Sequence, residues 1–276
     1  MMDKTNARRA IKMIASRNMQ GNWIKSFLLF IAISVIQMAI LSFLPLRLPL
    51  QEEIVAAGED IIKLLMLFLP REITYRTIAS YAVTAVLYIL VMCPLSVGTC
   101  AFFRKIAKGE KARLRDAFSV FANLKTIFGS IWLNFLVLLI SSFWVFLFML
   151  VPVAVEVFAI VVESWLLPWL VVVLLIGASI LSVLWVSRYS FALYIYAEGN
   201  LGPFASLCES IRLMNHRLGE CLSLRASYFL WDIVCYFFPP LSFIYSALFQ
   251  TAYAKYLEYL RGEIFTPSSE ASQQEQ

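Results

Sequence analysis

Six apolar runs alternate with polar connections along the chain, at about 23–44, 77–103, 127–152, 165–187, 221–238 and 241–258. A helix rises about 1.5 Å per residue and a bilayer core is about 30 Å thick, so roughly 20 apolar residues cross it. The pattern predicts an all-α polytopic membrane bundle of six transmembrane helices, in three hairpins, with two or three interfacial amphipathic helices. In this reading residues 1–266 form a single integral membrane domain, and 267–276 a disordered cytoplasmic tail.

The connections carry their own pattern. Residues 3–22 set Arg8, Arg9, Lys12 and Arg17 against a stripe of Ala10, Ile11, Ile14 and Ala15, which predicts a helix lying along the inner leaflet. Trp23 then stands as an interfacial anchor, and Lys25 is placed to snorkel to the headgroups. Pro45 and Pro49 close the first span, and 51–69 reads as an outer surface helix. Pro94 should kink span two, Pro152 should end span three, and 153–164 should be an outer loop. Ala178 and Ser182, one turn apart in span four, permit close helix contact. The stretch 189–197 should prolong span four past the headgroups, and 204–218 should form another amphipathic helix with Glu209, Arg212 and Arg217 on its polar side. Pro239 and Pro240 form the turn between the last two spans.

Charge orients this arrangement. All but four of the 23 Lys and Arg fall on one set of alternate connections or on the span ends adjoining them; the exceptions are Arg47, Lys63, Arg71 and Arg76. The positive-inside rule therefore predicts a cytoplasmic (inner) membrane protein with both termini in the cytoplasm. Composition agrees: 61% of the residues are hydrophobic, 15% are charged and the mean hydropathy is +0.78, against about half and a quarter in soluble domains. The net charge of +5 reads as topology and attraction to anionic lipid, so no nucleic-acid partner is expected. The first apolar run is long, lies well inside the chain and has no small-x-small site, so it is expected to remain as a span. The five cysteines include no C-x-x-C pair, so neither a disulfide framework nor a zinc framework is expected.

Several short motifs resemble those of the bacterial domain-of-unknown-function 975 family of integral membrane proteins. They are Gly21-Asn22-Trp23; Pro94 to Gly98 followed by Phe102-Phe103; Lys108-Gly109-Glu110; Arg188-Tyr189-Ser190; Ala197 to Asn200; Glu209 to Met214; and Gln250 to Tyr256 followed by Leu260-Arg261-Gly262. The resemblance covers nearly the whole chain. Where the family pattern has Gly-Asn-x-Trp in the late half, this chain has Arg217-Leu218-Gly219-Glu220. The resemblance implies a six-span bacterial membrane protein, with no agreed activity and no catalytic residues to transfer.

Among single residues, Asp232 stands out, because an ionisable side chain within an apolar run costs about 2.5–3.5 kcal/mol or more and usually meets a partner or a wet cavity. Arg225, two turns earlier, is its nearest candidate partner. The pair reads either as a proton, cation or lipid-headgroup site, or as a structural contact. Asn134, Gln37 and Gln250 read as interhelical hydrogen-bonding residues. The basic connection holding Arg104, Lys105, Lys108, Lys111, Arg113 and Arg115 is a candidate surface for acidic lipid headgroups or a protein partner. The single His216 has no companion ligands, so no metal and no cofactor is expected. Catalytic motifs are absent, and Ser210, His216 and Asp232 are too dispersed for a triad. The expected function is that of a non-enzymatic membrane accessory protein acting through protein or lipid contacts, for instance in envelope stress, peptide resistance or immunity. The alternative is a small transporter or channel with Asp232 as its ionisable site. A lipid-modifying enzyme built on Glu198, His216 and Asp232 ranks behind both.

Overall fold

The computed structural model describes residues 4–44, 74–162, 167–215 and 217–262. The expected outer helix at 51–69, the helix-closing Pro45 and Pro49, His216 and the tail at 267–276 lie outside the described residues. Every regular element among the described residues is helical. In chain order they are α1 (Lys4–Met19), α2 (Trp23–Leu41), α3 (Tyr75–Ala107), α4 (Leu114–Phe118), α5 (Leu124–Val162), α6 (Leu167–Val186), α7 (Ala192–Tyr196), α8 (Pro203–Met214), α9 (Leu218–Ala226), α10 (Phe229–Phe237) and α11 (Pro239–Leu260). Short 3₁₀ turns join α4 to α5 and α6 to α7. Four helical stretches are long and apolar enough to cross a membrane: Trp23–Leu41, Tyr75–Ala107, Leu124–Phe158 and Trp169–Tyr196. They define the chain as a helical protein of the membrane class.

Apart from α3, whose most apolar window is 44% buried, the long helices bury little of themselves. Only 6% of the most apolar window of α5 is buried, and Phe128, Leu138, Phe146 and Val153 stand exposed along it. Lipid is as apolar as these side chains, so it supplies no drive to bury them. The packed core gathers instead at one end, in a base built from α1, the later half of α3, α7, α8, α9 and the end of α11. Ile11, Cys100, Phe191, Ile195, Leu224 and Leu257 are all buried within it.

Several expectations are corrected by this packing. The 221–238 segment is not one helix: it divides at Ser227–Tyr228 into α9 and α10, nine residues each. At about 1.5 Å per residue neither half crosses a bilayer alone. The break is tertiary in origin. Tyr228 is buried against Tyr245 and Phe249, Lys12 lies 4.5 Å over its ring, and its N–H turns to the Arg225 carbonyl at 2.9 Å. Pro152 does not end span three; α5 runs through it to Val162, with the ring buried. The missing N–H costs one backbone bond, and packing along α6 keeps the helix whole, with Ala178 and Ser182 buried on α6. The 153–164 outer loop is accordingly helical as far as Val162. Helix α3 likewise continues unbroken through the buried Pro94.

Two further differences place the base. The 189–197 stretch carries the helical path of α6 on through a 3₁₀ turn at Ser187–Tyr189, and its residues Phe191, Ala192, Tyr194 and Ile195 are buried in the core. Helix α1 buries Ala7, Ile11, Ala15 and Met19, one residue per turn, against α3 and α11, leaving Ala10 and Ile14 half-buried. The amphipathic 204–218 segment is α8, which stops at Met214, so Arg217 falls outside it.

The base also fixes one close backbone approach. Helix α3 ends at Gly109 (φ +79°), whose N–H donates to Ile106 O at 2.9 Å while Glu110 N–H reaches Lys105 O at 2.9 Å. This paired cap needs a left-handed residue, hence glycine. The chain then folds α4 back onto α3 so tightly that a Cβ on Gly98 would lie 1.8 Å from the Ala117 carbonyl oxygen. Replacing Gly98 with Ala must therefore push α4 off α3. We expect a stability loss of roughly 1–3 kcal/mol or more, as for other overpacked sites, whereas Gly177→Ala, whose Cβ meets nothing within 4 Å, stays within about 0.5 kcal/mol. Thermal unfolding of both variants in detergent measures the difference.

Candidate functional site

The base carries an ionic clamp. Glu198 follows α7 and accepts from Arg104 at the end of α3, 3.0 Å away, and from Arg261 just after α11. All three side chains are largely withdrawn from water, at 10% exposure for Glu198, 15% for Arg104 and 18% for Arg261. Other polar bonds surround the clamp. Asn18 Nδ2 donates to Ala107 O at 2.8 Å, and Lys25 Nζ donates to Ala112 O at 3.1 Å. Lys25 thus ties the start of α2 into the base. Ser210 Oγ donates to Arg188 O at 2.7 Å, and the Arg188 guanidinium stacks 3.9 Å over Trp185.

The basic connection docks beside the clamp. Lys105 pairs with Asp116 at 3.0 Å, and Asp116 Oδ2 accepts the Arg113 N–H at 2.8 Å. Burial pushes the Asp116 carboxyl up, but the Arg113 N–H and the Lys105 ammonium outweigh it and hold it below its ordinary 3.8. Ala112 and Ala117 are buried, whereas Lys108, Lys111, Arg113 and Arg115 point outward. Of the six predicted surface cations, therefore, Arg104 and Lys105 belong to the internal framework and four remain on the surface. On α1, burial lowers Lys12, and the neighbouring Arg8 lowers it further.

A cavity of about 370 Å³ opens above the base, between α2, α3, α7, α9 and α11. Its apolar wall includes Ile33, Met92, Leu95, Leu193 and Phe249. Its polar wall includes Arg225, Gln250, Tyr194, Tyr253, Ser190 and Thr99. Hydrogen bonds among these groups are directional. Ser190 Oγ donates to Ser187 O at 2.6 Å, so Tyr253 OH is the donor to Ser190. Tyr194 OH donates to Gln250 Oε1. Thr99 and Ser96 hydroxyls donate to Leu95 O and Cys93 O, at 2.8 and 2.7 Å.

Asn134 Nδ2 donates to Ser130 O at 2.9 Å and lies 3.4 Å from both Cys93 O and Ser96 Oγ, so it joins α5 to α3. Arg225 is exposed and faces the cavity. Asp232 lies in α10, but its side chain is outside the described residues. Sequence reasoning missed the role of Glu198 as a double-arginine clamp. It also missed the assembly of Tyr194, Gln250 and Tyr253 around Arg225. The available signal for Glu198 was a carboxylate standing alone in an otherwise uncharged stretch between Arg188 and Glu209. None of the comparisons with protein families, curated proteins and solved structures finds a match for the chain.

Two outcomes test this geometry. Glu198→Gln leaves Arg104 and Arg261 without their shared countercharge, and should cost about 3 kcal/mol, the lower end for a broken buried pair; an unchanged unfolding midpoint in detergent would remove the clamp as a folding determinant. For Asp116 the folded pKa lies below the unfolded one, so its stabilisation is present above 3.8 and is lost only as the pH falls through the lower folded value. Amide exchange across 112–118 should stay slow as the pH crosses 3.8 and accelerate below it. In Asp116→Asn, exchange corrected for its intrinsic pH dependence should be faster and flat over the same range.

Proposed function

We propose that the protein is a non-enzymatic accessory component of the bacterial cytoplasmic membrane that acts through contacts with anionic lipid or a membrane-protein partner. The family resemblance, the six-span arrangement and the cytoplasmic location of both termini belong to this proposal. In it, α9 with α10 and then α11 make the third hairpin. The observation that carries the reading is the rigid mounting of an exposed cationic surface. Lys108, Lys111, Arg113 and Arg115 are exposed on a connection whose Ala112 and Ala117 are buried and whose backbone touches Gly98. Near an anionic leaflet each such cation contributes about 1 kcal/mol, and a fixed cluster also suits an acidic partner surface. Envelope stress, peptide resistance and immunity are the settings in which such a role fits.

Affinity purification from native membranes in mild detergent tests the proposal. Wild type should retain a stoichiometric protein partner or one enriched anionic lipid, and the fourfold Lys108→Gln, Lys111→Gln, Arg113→Gln, Arg115→Gln variant should lose most of it. Solute flux through the protein reconstituted alone would instead favour the alternative, a small transporter or channel using Asp232. A reporter fused after Gln276 that is active only outside the cell would overturn the orientation.

A further inference from the structure

We infer that the cavity at Arg225 binds the anionic head of an amphiphile, a phosphate or carboxylate carried on an apolar body. Most hydroxyl protons around the cavity are spent within the protein. Tyr253 donates to Ser190, Ser190 to Ser187 O, Tyr194 to Gln250 Oε1, and Thr99 and Ser96 to carbonyls of their own helix. Each hydroxyl has one proton to give, so these donors are committed within the protein. The unspent N–H donors that line the space are the Arg225 guanidinium and the Gln250 amide nitrogen left over once its oxygen accepts from Tyr194, beside hydroxyl oxygens that keep only acceptor capacity. Both are donors only. The matching ligand group is therefore an acceptor, and beside a guanidinium the strongest acceptor is an anionic oxygen.

Charge supports the same reading. Arg225 forms no ion pair with any described residue, unlike Arg104, Arg212 and Arg261, which hold carboxylates. A cation facing an apolar-walled space without a countercharge gains from a ligand that supplies one. The lining also carries apolar side chains, with Ile33, Met92 and Phe249 contributed by three different helices. One guanidinium among apolar side chains fits a charged head and the start of an apolar body, and about 370 Å³ is within the range of ligand-sized pockets. The frame is well supported, because Tyr194 and Tyr253 belong to the buried core and Tyr253 bonds the half-buried Ser190. This site is separate from the cationic surface of 108–115, and it stands whether or not that surface recruits a partner.

The test uses the full chain purified in a neutral detergent. Its thermal midpoint is followed while short-chain phosphatidylglycerol, short-chain phosphatidylcholine or inorganic phosphate is titrated in. Binding to the folded state raises the midpoint. Phosphatidylglycerol should raise it saturably, and the other two should do so weakly or not at all. Arg225→Gln should weaken the apparent affinity about tenfold or more, as for a lost charged hydrogen bond, and Arg225→Lys should recover part of it. Arg225 is exposed, so these variants are expected to fold. The fourfold Gln variant of 108–115 should keep the response. Equal shifts with phosphatidylglycerol and phosphatidylcholine would overturn the anion requirement. An equal shift with phosphate would overturn the amphiphile. An apparent affinity left unchanged by Arg225→Gln, or a response that disappears with the 108–115 variant, would place the head elsewhere and overturn the site.

Discussion

The carboxylate of Glu198 holds the ends of two long helices against a short one, and the base of the protein is organised around that contact. Arg104 closes α3 and Arg261 follows α11, so one anion gathers termini that are far apart in the chain. Such a contact is strong because it is partly withdrawn from water, and it is worth having only because both cations share the same oxygen. It also anchors the turn that follows α7 from two sides.

Around this contact the fold divides its labour. The long apolar stretches meet lipid and gain little by touching one another. Cohesion is therefore concentrated where amphipathic segments bury one face and satisfy their polar groups. Helix α1 shows the principle with Ala7, Ile11, Ala15 and Met19 buried in succession. The Gly98–Ala117 approach shows it at the level of backbone, since only a residue without a side chain allows α4 to lie so close. The same base sets the positions of Ser190, Tyr194 and Tyr253, and through them the wall of the Arg225 cavity. A binding site made of donors fits this scheme: the hydroxyls are used to hold the frame, and the unspent groups are left facing the open space.

Much of the helical content was legible from hydrophobic spacing, and four apolar runs correspond to helices long enough to cross a membrane. Proline forbids one hydrogen bond, but it does not say whether neighbouring contacts outweigh that loss: Pro94 lies inside α3 as the pattern predicts, whereas at Pro152, where an end was expected, the helix continues. The break at Ser227–Tyr228 carried no glycine or proline signal; it follows from the place of Tyr228 in the core. Of the site, Arg225 and Gln250 were visible as polar residues in apolar surroundings. Their neighbours Tyr194 and Tyr253 were not, because tyrosine is ordinary at a membrane surface and only its partner reveals a different use.

The sequence by itself determined the solvent, the helical class and the distribution of positive charge. These depend on local composition and on period, which act within single segments. Only the tertiary structure decided where the core lies, which cations are spent inside it, and which face open space. Glu198, Arg104 and Arg261 are 94 and 63 residues from one another along the chain, and no local pattern encodes a contact between groups so separated. Their meeting depends on the summed packing of α3, α7 and α11, which is a property of the folded molecule.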